Sequence, residues 1–346
     1  MHSPLVLGAL LAYSVSAVAA QQSSCNGYPE LCSKPYNSLT YVLTHNSYGF
    51  TENPGANQMC SINTQLSDGV RGLKLSAVKP SNGTSTGADA IRLCHTDCRI
   101  LDAGPAKDTL TSVAAWLKSN PNEVLTIMWN NMGKFTAADF QAAYEASGIL
   151  DYTYTQTEGN LKWPTLQEMI SSGKRVVNFL DSGADQASVP WLMSEFNYVF
   201  ETPYNNMNES SFSCVIDRPA DPAQPANMMY VMNHFLYKSV GSLGGIVVEV
   251  PQKDTANVTN ANSLLNQAQT CSTTFGRAPN FLEVDFYNKG NTLQIAAQLN
   301  NVAYKPSGQQ CSNQAAPTDR SNSQATSITF SPMLALFGAV LAALVI

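Results

Sequence analysis

Short apolar runs alternate with amphipathic stretches along most of this chain. The apolar runs predict strands, and they cover 41–44, 70–78, 90–95, 124–129, 175–180, 198–201, 228–232, 245–250 and 280–286. The amphipathic stretches predict helices, and they cover 109–119, 135–147, 166–172, 263–269 and 292–299. Strands that alternate with helices indicate βα units and a mainly parallel sheet.

Around eight such strands over roughly 270 residues predict an α/β fold, namely a distorted (β/α) TIM-type barrel in a single domain. A doubly wound sheet is the alternative, but no glycine-rich nucleotide loop follows the first strand. The chemistry of a barrel lies at the carboxyl ends of its strands. Polar residues that fall there are His45, His95, Asn130, Asp181, Asn233, His234 and Asp285.

Both ends of the chain carry apolar segments outside this alternating region. Residues 1–20 resemble a secretory signal peptide, with a membrane anchor as the alternative. We expect the barrel to occupy 21–310 and a spacer rich in Ser, Asn, Gln and Thr to cover 311–327. Small residues at 321–323 and the apolar tail at 328–346 predict a GPI-attachment signal, with a retained helix as the alternative.

The mature chain is therefore expected at the cell surface, secreted and attached to the membrane through the GPI anchor. All eight cysteines fall in this part, and an even number in a secreted chain favours disulfides. Most pairings stay open, but Cys25–Cys32 and Cys214–Cys271 are plausible bridges. A zinc site at Cys94 and Cys98 lacks a second cluster of ligands.

The net charge argues against a nucleic-acid partner, and three sequons predict glycosylation. A net charge of −6 and a pI near 5.2 give no basic footprint for nucleic acid. Three sequons begin at Asn82, Asn208 and Asn257, and can be glycosylated outside the cell. We expect a monomer.

Two of the four histidines lie where a predicted strand runs out: His45 follows the strand at 41–44, and His95 ends the strand at 90–95. Histidine is the side chain best suited to proton transfer near neutral pH. A pair at strand ends is therefore a candidate general base and general acid. Two structural histidines would give the same spacing, so position alone does not decide between these interpretations.

The order of several motifs resembles the phosphatidylinositol-specific phospholipase C X-domain superfamily, and its secreted fungal phosphodiesterase-like members in particular. The matching segments are THNSY at 44–48, LSDGVRGL at 66–73, LCH at 93–95, WLKSNPNEVLT at 116–126, RVVNFLD at 175–181, YVMNHF at 230–235 and FLEVDFY at 281–287. This resemblance implies a distorted TIM barrel that cleaves a phosphodiester by a ribonuclease-like route. Its substrate would be phosphatidylinositol or a GPI-type glycolipid.

The resemblance also implies a role for three residues. His45 matches the general base that takes the proton of the inositol 2-hydroxyl, and His95 matches the general acid that protonates the leaving oxygen. Asp285 matches the carboxylate that orients the first histidine. Asn130, Asp181 and Asn233 are expected to contact substrate. For Asp181 an Asx turn is the alternative, and for Asn233 and His234 the alternative is to cap their strand.

The second strand departs from the family pattern. Lys74 and Ser76 stand where relatives carry acidic residues or an arginine, and both are expected to face the barrel interior. Asn46 matches a calcium-binding asparagine, but calcium prefers six to eight oxygens that include carboxylates. The resemblance therefore predicts no metal and no other cofactor.

Three interpretations of Lys74 stay open: a fixed positive charge opposite the phosphate, a mark of a degraded site, or a surface lysine. The first predicts a metal-independent phosphodiesterase, with Asn46, Lys74 and Ser76 at the substrate. The second predicts a surface or cell-wall binding protein. A metal-dependent glycerophosphodiesterase would need acidic residues on the early strands, which are absent there.

Overall fold

Parallel strands form the central sheet of the protein, which a computed structural model describes at residues 24–80, 85–243, 245–306 and 311. The strands are β1 Tyr41–Thr44, β2 Gly72–Val78, β3 Arg92–Cys94, β4 Asp102–Pro105, β5 Leu125–Asn130, β6 Val176–Leu180, β7 Leu192–Ser194, β8 Val199–Glu201, β9 Met229–Asn233, β10 Tyr237–Leu243, β11 Ile246–Pro251 and β12 Phe281–Val284. The helices are α1 Ile62–Asp68, α2 Ala106–Ser119, α3 Ala137–Ser147, α4 Leu166–Ser172, α5 Ala256–Val258, α6 Leu264–Phe275 and α7 Thr292–Leu299.

The main sheet runs in the order β7-β6-β5-β2-β1-β12-β9-β8, and every neighbouring pair on this path is parallel. This is the expected α/β barrel of TIM type. It is distorted because β7 and β8 are the two edges of the order and form no ladder with each other within the described ranges.

Alternation along the strands separates two apolar cores. Val42, Leu73 and Ile127 point outward into the core shared with the helices. Leu43 and Met128, each next in sequence to one of them, point inward and fill the lower barrel. Side chains at i and i+2 share a face of a strand. The inward positions of a strand are therefore apolar in its first part and polar at its carboxyl end.

Local sequence signals set the helix boundaries. Thr136 and Thr165 each cap a helix and form a capping box with an acidic residue three positions later. Gly148 and Gly173 end the same helices in the left-handed conformation, at φ 74° and 73°.

Two predicted strands lie outside the barrel. Residues 90–95 contain β3, which pairs antiparallel with the end of β2 and with β4. Residues 245–250 contain most of β11, which pairs antiparallel with β10 in a separate hairpin. Strands β4, β7 and β10 were not predicted from the sequence; β4 and β7 have only four and three residues.

Four disulfides close the chain. The predicted bridges Cys25–Cys32 and Cys214–Cys271 are confirmed, and Cys94–Cys98 and Cys60–Cys311 complete the set. Cys311 is buried. The folded body therefore includes the first residue of the predicted spacer.

The predicted signal peptide, the GPI-attachment residues, the apolar tail and Asn82 lie outside the described residues. Asn208 and Asn257 of the other two sequons are exposed. No helix in the described part of the chain is long and apolar enough to span a membrane.

Candidate active site

A polar pocket of about 340 Å³ opens at the carboxyl ends of the barrel strands. Of the nine predicted site residues, eight line it: His45, Asn46, Lys74, Ser76, His95, Asn130, Asn233 and Asp285. The exception is Asp181, whose carboxylate accepts hydrogen bonds from the backbone N–H of Asn131 and the hydroxyl of Ser182. Asp181 thus ties the loop after β6 to the end of β5, and these contacts are not those of the Asx turn that was the alternative.

His45 is paired with Asp285 across the parallel strands β1 and β12. Nδ1 of His45 lies 2.9 Å from Oδ1 of Asp285, which also accepts from the side-chain amide of Asn57 at 2.8 Å. A carboxylate at Nδ1 places the proton of the neutral ring there and leaves a lone pair on Nε2. The side-chain amide of Asn46 lies 3.3 Å from that Nε2.

Burial and the charge of Asp285 shift the pKa of His45 in opposite directions. Phe235 stacks on the His45 ring with ring centroids 4.0 Å apart. Burial lowers the pKa of His45, but the charge and hydrogen bond of Asp285 outweigh that effect and raise it above the usual value. His45 is therefore a stronger base than an isolated imidazole.

His95 reaches the pocket from the loop after β3, outside the barrel ring. Its Nδ1 is buried and has no hydrogen-bond partner in the described part of the chain. Burial, helped by the charge of the nearby His45, lowers the pKa of His95 to about 4. The ring is neutral near pH 7 when the pocket holds no anion.

Asn46 and Ser76 form a hydrogen-bonded support beneath the two histidines. Oδ1 of Asn46 accepts from Oγ of Ser76 at 2.9 Å and from the hydroxyl of Tyr48 at 3.0 Å. Its amide nitrogen donates to Asn57 at 3.1 Å. Both Asn46 and Ser76 are buried.

Lys74 points into the barrel, so the interpretation as a surface lysine is wrong. It is only 6 % exposed, because β2 lies in the middle of the sheet rather than at an edge. Its Nζ lies 3.0 Å from Glu201 and 3.6 Å from Glu195. Burial lowers the pKa of Lys74, but the surrounding carboxylates outweigh it and keep the ammonium charged.

Arg218 is a second cation at the pocket, and the sequence analysis did not predict it. Its guanidinium forms an ion pair with the other oxygen of Glu201, and it stacks on the ring of Tyr204 at 4.4 Å. About a third of the Arg218 side chain is exposed, and Arg218 and Tyr204 both line the pocket. Nothing near Arg218 in the sequence marks it, because it lies in a long loop.

Three buried glutamates were also missed: Glu195, Glu201 and Glu283. Burial raises the pKa of Glu195 and Glu283, with Lys74 opposing the effect. The pKa of Glu201 is instead held low, because Lys74 and Arg218 outweigh its burial. When Glu195 and Glu283 are protonated, Glu201 is the one charged glutamate of the three. It faces Lys74 and Arg218, so this group of side chains has a net positive charge.

The remaining predicted residues divide between the pocket and the core. Asn233 donates to the carbonyl of Thr202 at 2.7 Å, and Asn130 ends β5 at the pocket wall. His234 faces away from the pocket, with Nε2 2.8 Å from the carbonyl of Thr259 and Nδ1 2.5 Å from Gln267. It is a structural histidine.

The buried glutamates do not form a calcium site in which the oxygen of Asn46 would be a ligand. The oxygen of Asn46 already accepts two hydrogen bonds, and Lys74 occupies the centre of the carboxylates. The described ranges hold one set of close His, Cys, Asp or Glu side chains, namely Cys94, Cys98 and Asp102. The two cysteines form a disulfide, so they offer no thiolate ligands.

Comparison with known proteins agrees with this architecture. The family model of the PI-PLC X domain, PI-PLC X 1, matches residues 31–300. The chain belongs to the PI-PLC X domain family. A PI-PLC X domain-containing protein 1 of Arthroderma benhamiae is 36 % identical over 308 residues, covering 86 % of this chain and 97 % of the relative.

An uncharacterized secreted protein of the same fungus is 38 % identical over 294 residues, which are 81 % of this chain but only 64 % of the relative. Two bacterial structures share the fold of this PI-PLC X domain. The phosphatidylinositol-specific phospholipase C of Staphylococcus aureus, an F249X mutant, has a TM-score of 0.53 at 15 % identity and covers 77 % of this chain and 94 % of its own. The Listeria monocytogenes enzyme has a TM-score of 0.50 at 16 % identity, with 79 % and 96 % covered.

Proposed function

We propose that this chain is a lyase-type phosphodiesterase that acts on phosphatidylinositol or a related inositol phosphodiester. The observation that supports it most strongly is that His45, paired with Asp285, shares one pocket with His95. A family member with both proton-transfer groups in place has what internal transesterification requires.

The proton balance assigns each histidine one step. Nε2 of neutral His45 accepts the proton of the inositol 2-hydroxyl as that oxygen attacks phosphorus. The bond from phosphorus to the diacylglycerol oxygen breaks, and protonated His95 gives its proton to that oxygen. The products are a cyclic inositol phosphate and diacylglycerol, and the two histidines have exchanged protonation states.

The low pKa of His95 requires an explanation in this scheme, because a general acid must carry its proton. A bound phosphodiester is an anion, and a nearby negative charge raises the pKa of a histidine. We therefore propose that His95 gains its proton when the substrate binds. Nδ1 of His95 is buried without a partner among the described residues, so Nε2 is the nitrogen that would gain this proton and pass it to the leaving oxygen.

Charge in the pocket supports the binding of an anion. Lys74 and Arg218 face the ionised Glu201 together, and the guanidinium of Arg218 is the more exposed of the two cations. Preorganised charge stabilises the negative charge that develops on phosphate oxygens. We assign Arg218 to direct contact with the phosphate and Lys74 to the fixed charge beneath it.

Polar residues around the phosphate would hold the inositol ring. Asn130 and Asn233 line the wall, and Asn46 and Ser76 support His45 from below. The reaction is proposed to need no metal. The proposal also places the protein outside the cell, GPI-anchored and monomeric.

The test is to incubate the purified chain with phosphatidylinositol in EDTA and to follow the products by phosphorus NMR. We expect a cyclic inositol phosphate from the wild type and none from His45→Ala or His95→Ala. Lys107→Ala is the control, because Lys107 pairs with Asp89 on the surface. If all four proteins bind inositol phosphate but are inactive both in EDTA and in millimolar calcium, the barrel is a binding protein and the proposal fails.

A further inference from the structure

The two histidines of the pocket are held in different ways. The His45 ring is fixed by Asp285 at Nδ1 and by Phe235 on its face. The Nδ1 atom of His95 has no partner among the described residues, and no ring stacks on its imidazole there. The position of the His95 ring is therefore set by packing, as against Gly55, and by the backbone of the loop that carries it.

That backbone is a short ring closed by a covalent bond. Cys94 and Cys98 flank His95 and form a disulfide with a Cα–Cα distance of 4.8 Å and a sequence separation of 4. Inside the ring, Thr96 adopts a left-handed φ of 60°. A non-glycine residue in this region is uncommon, and surrounding constraints are needed to hold it there.

The ring is attached at its base to the support of His45. The hydroxyl of Tyr48 donates to the carbonyl of Cys94 at 2.8 Å, and the same hydroxyl lies 3.0 Å from Asn46. On the far side the backbone N–H of His95 donates to Leu101 at 3.1 Å. The far end of the loop is held by Asn53, which donates to the carbonyl of Ile100 at 2.8 Å.

We propose that the Cys94–Cys98 disulfide is a positioning element for catalysis, which fixes the imidazole of His95 in line with the leaving oxygen. This inference rests on the proposed function, because it assumes that His95 is the general acid. An acid misplaced by about 1 Å loses a large part of its effect.

The position of the bridge in the chain argues against a mainly stabilising role. A disulfide stabilises less as its loop becomes shorter. The ring at His95 is far shorter than the loop of 251 residues closed by Cys60–Cys311. A site that captures zinc is also disfavoured, because Asp102 accepts from Arg92 through both carboxylate oxygens, each at 2.8 Å.

The experiment uses Cys94→Ala/Cys98→Ala and compares two substrates. Phosphatidylinositol releases an alkoxide that needs a proton, whereas inositol 4-nitrophenyl phosphate releases a phenolate that needs none. General acid catalysis contributes about 10²- to 10⁴-fold. We expect kcat to fall by about 10²-fold or more with the first substrate and by less than about 3-fold with the second.

Cys25→Ala/Cys32→Ala is the matched control, since that bridge also closes a short loop and neither cysteine lines the pocket. It should leave both rates unchanged. Equal losses with the two substrates, or a collapse of the near-ultraviolet circular dichroism, would make the bridge structural and overturn the inference.

His95→Ala separates this inference from the proposed function. If His95→Ala keeps full activity on phosphatidylinositol, the assignment of the acid is wrong. If His95→Ala is inactive while the double cysteine variant acts like wild type on both substrates, the assignment stands and only the positioning role fails.

Discussion

Nδ1 of His45 and Oδ1 of Asp285 lie 2.9 Å apart, although the two residues are separated by 240 positions in the chain. Parallel pairing of β1 with β12 brings them together, because Thr44 is in register with Val284. The last strand of the barrel therefore supplies the group that orients a base on the first.

Replacing Asp285 with Asn should keep the fold and lower kcat by about 10²- to 10⁴-fold, because the amide no longer fixes the tautomer of His45. Asp285 raises the pKa of His45. Without it, the neutral base persists to lower pH, so the rising limb of the kcat/KM profile should shift towards acid. A profile that keeps its position would contradict the pairing.

Removing the charge of Lys74 should destabilise the fold. Lys74→Met leaves Glu201 and Glu195 without the buried ammonium, and breaking a buried ion pair on one side costs about 3–5 kcal/mol. Urea unfolding measures this loss. Lys107→Met is the matched control and should leave the unfolding free energy nearly unchanged, because its pair is on the surface.

The double variant Lys74→Met/Glu201→Gln distinguishes stability from catalysis. Removing both charges should recover part of the unfolding free energy, because the net charge of the cluster is restored and Arg218, which loses Glu201, still faces Glu195 and Glu283. Activity should stay low if the ammonium acts on the phosphate. Recovery of both quantities together would limit Lys74 to a structural role.

Arg218→Lys should lower kcat/KM by about 10-fold or more, because lysine lacks the planar guanidinium that binds a carboxylate or a phosphate through two parallel hydrogen bonds. The same variant should bind inositol phosphate more weakly in calorimetry. Unaltered kinetics would mean that the guanidinium serves only Glu201 and Tyr204.

Chelation of metal ions should leave the rate unchanged. The oxygen of Asn46 already accepts from Ser76 and Tyr48, and the nearby carboxylates pair with Lys74. Activity measured in EDTA and in millimolar calcium should agree. Loss of turnover in EDTA with rescue by calcium would refute a metal-free reaction.

Acid should destabilise the fold through its buried neutral histidines. Burial lowers the pKa of His234 from 6.5 to about 4. The unfolded state therefore binds more protons between these values, and stability falls as the pH drops through this window. His234 alone accounts for up to about 3 kcal/mol. Urea unfolding at several pH values should show this slope, and His234→Gln should reduce it.

The apolar pattern was sufficient to predict the barrel. β1, α4 and α7 begin and end where the periodicity places them. The pattern failed where an element is short or lies outside the ring, as with β7 and β3. An antiparallel extension such as β3 is as apolar as a barrel strand, so periodicity alone does not separate the two.

The predicted histidines and Asp285 do meet in one pocket, whereas the charge partners of Lys74 were missed. A signal for them exists. Met193 precedes Glu195 by two positions and Val199 precedes Glu201 by two, so inward parity points both glutamates into the barrel interior, where they contact Lys74. Arg218 has no such signal, because loop conformation does not follow from periodicity.

The bridge between Cys60 and Cys311 makes most of the folded body a covalent ring. A protease that cuts once anywhere between these residues leaves two pieces that stay joined. Release of the barrel from any anchor beyond residue 311 would then require a cut outside the ring. Damage in surface loops and shedding from the surface are thus separate events, distinguishable on gels run with and without reductant.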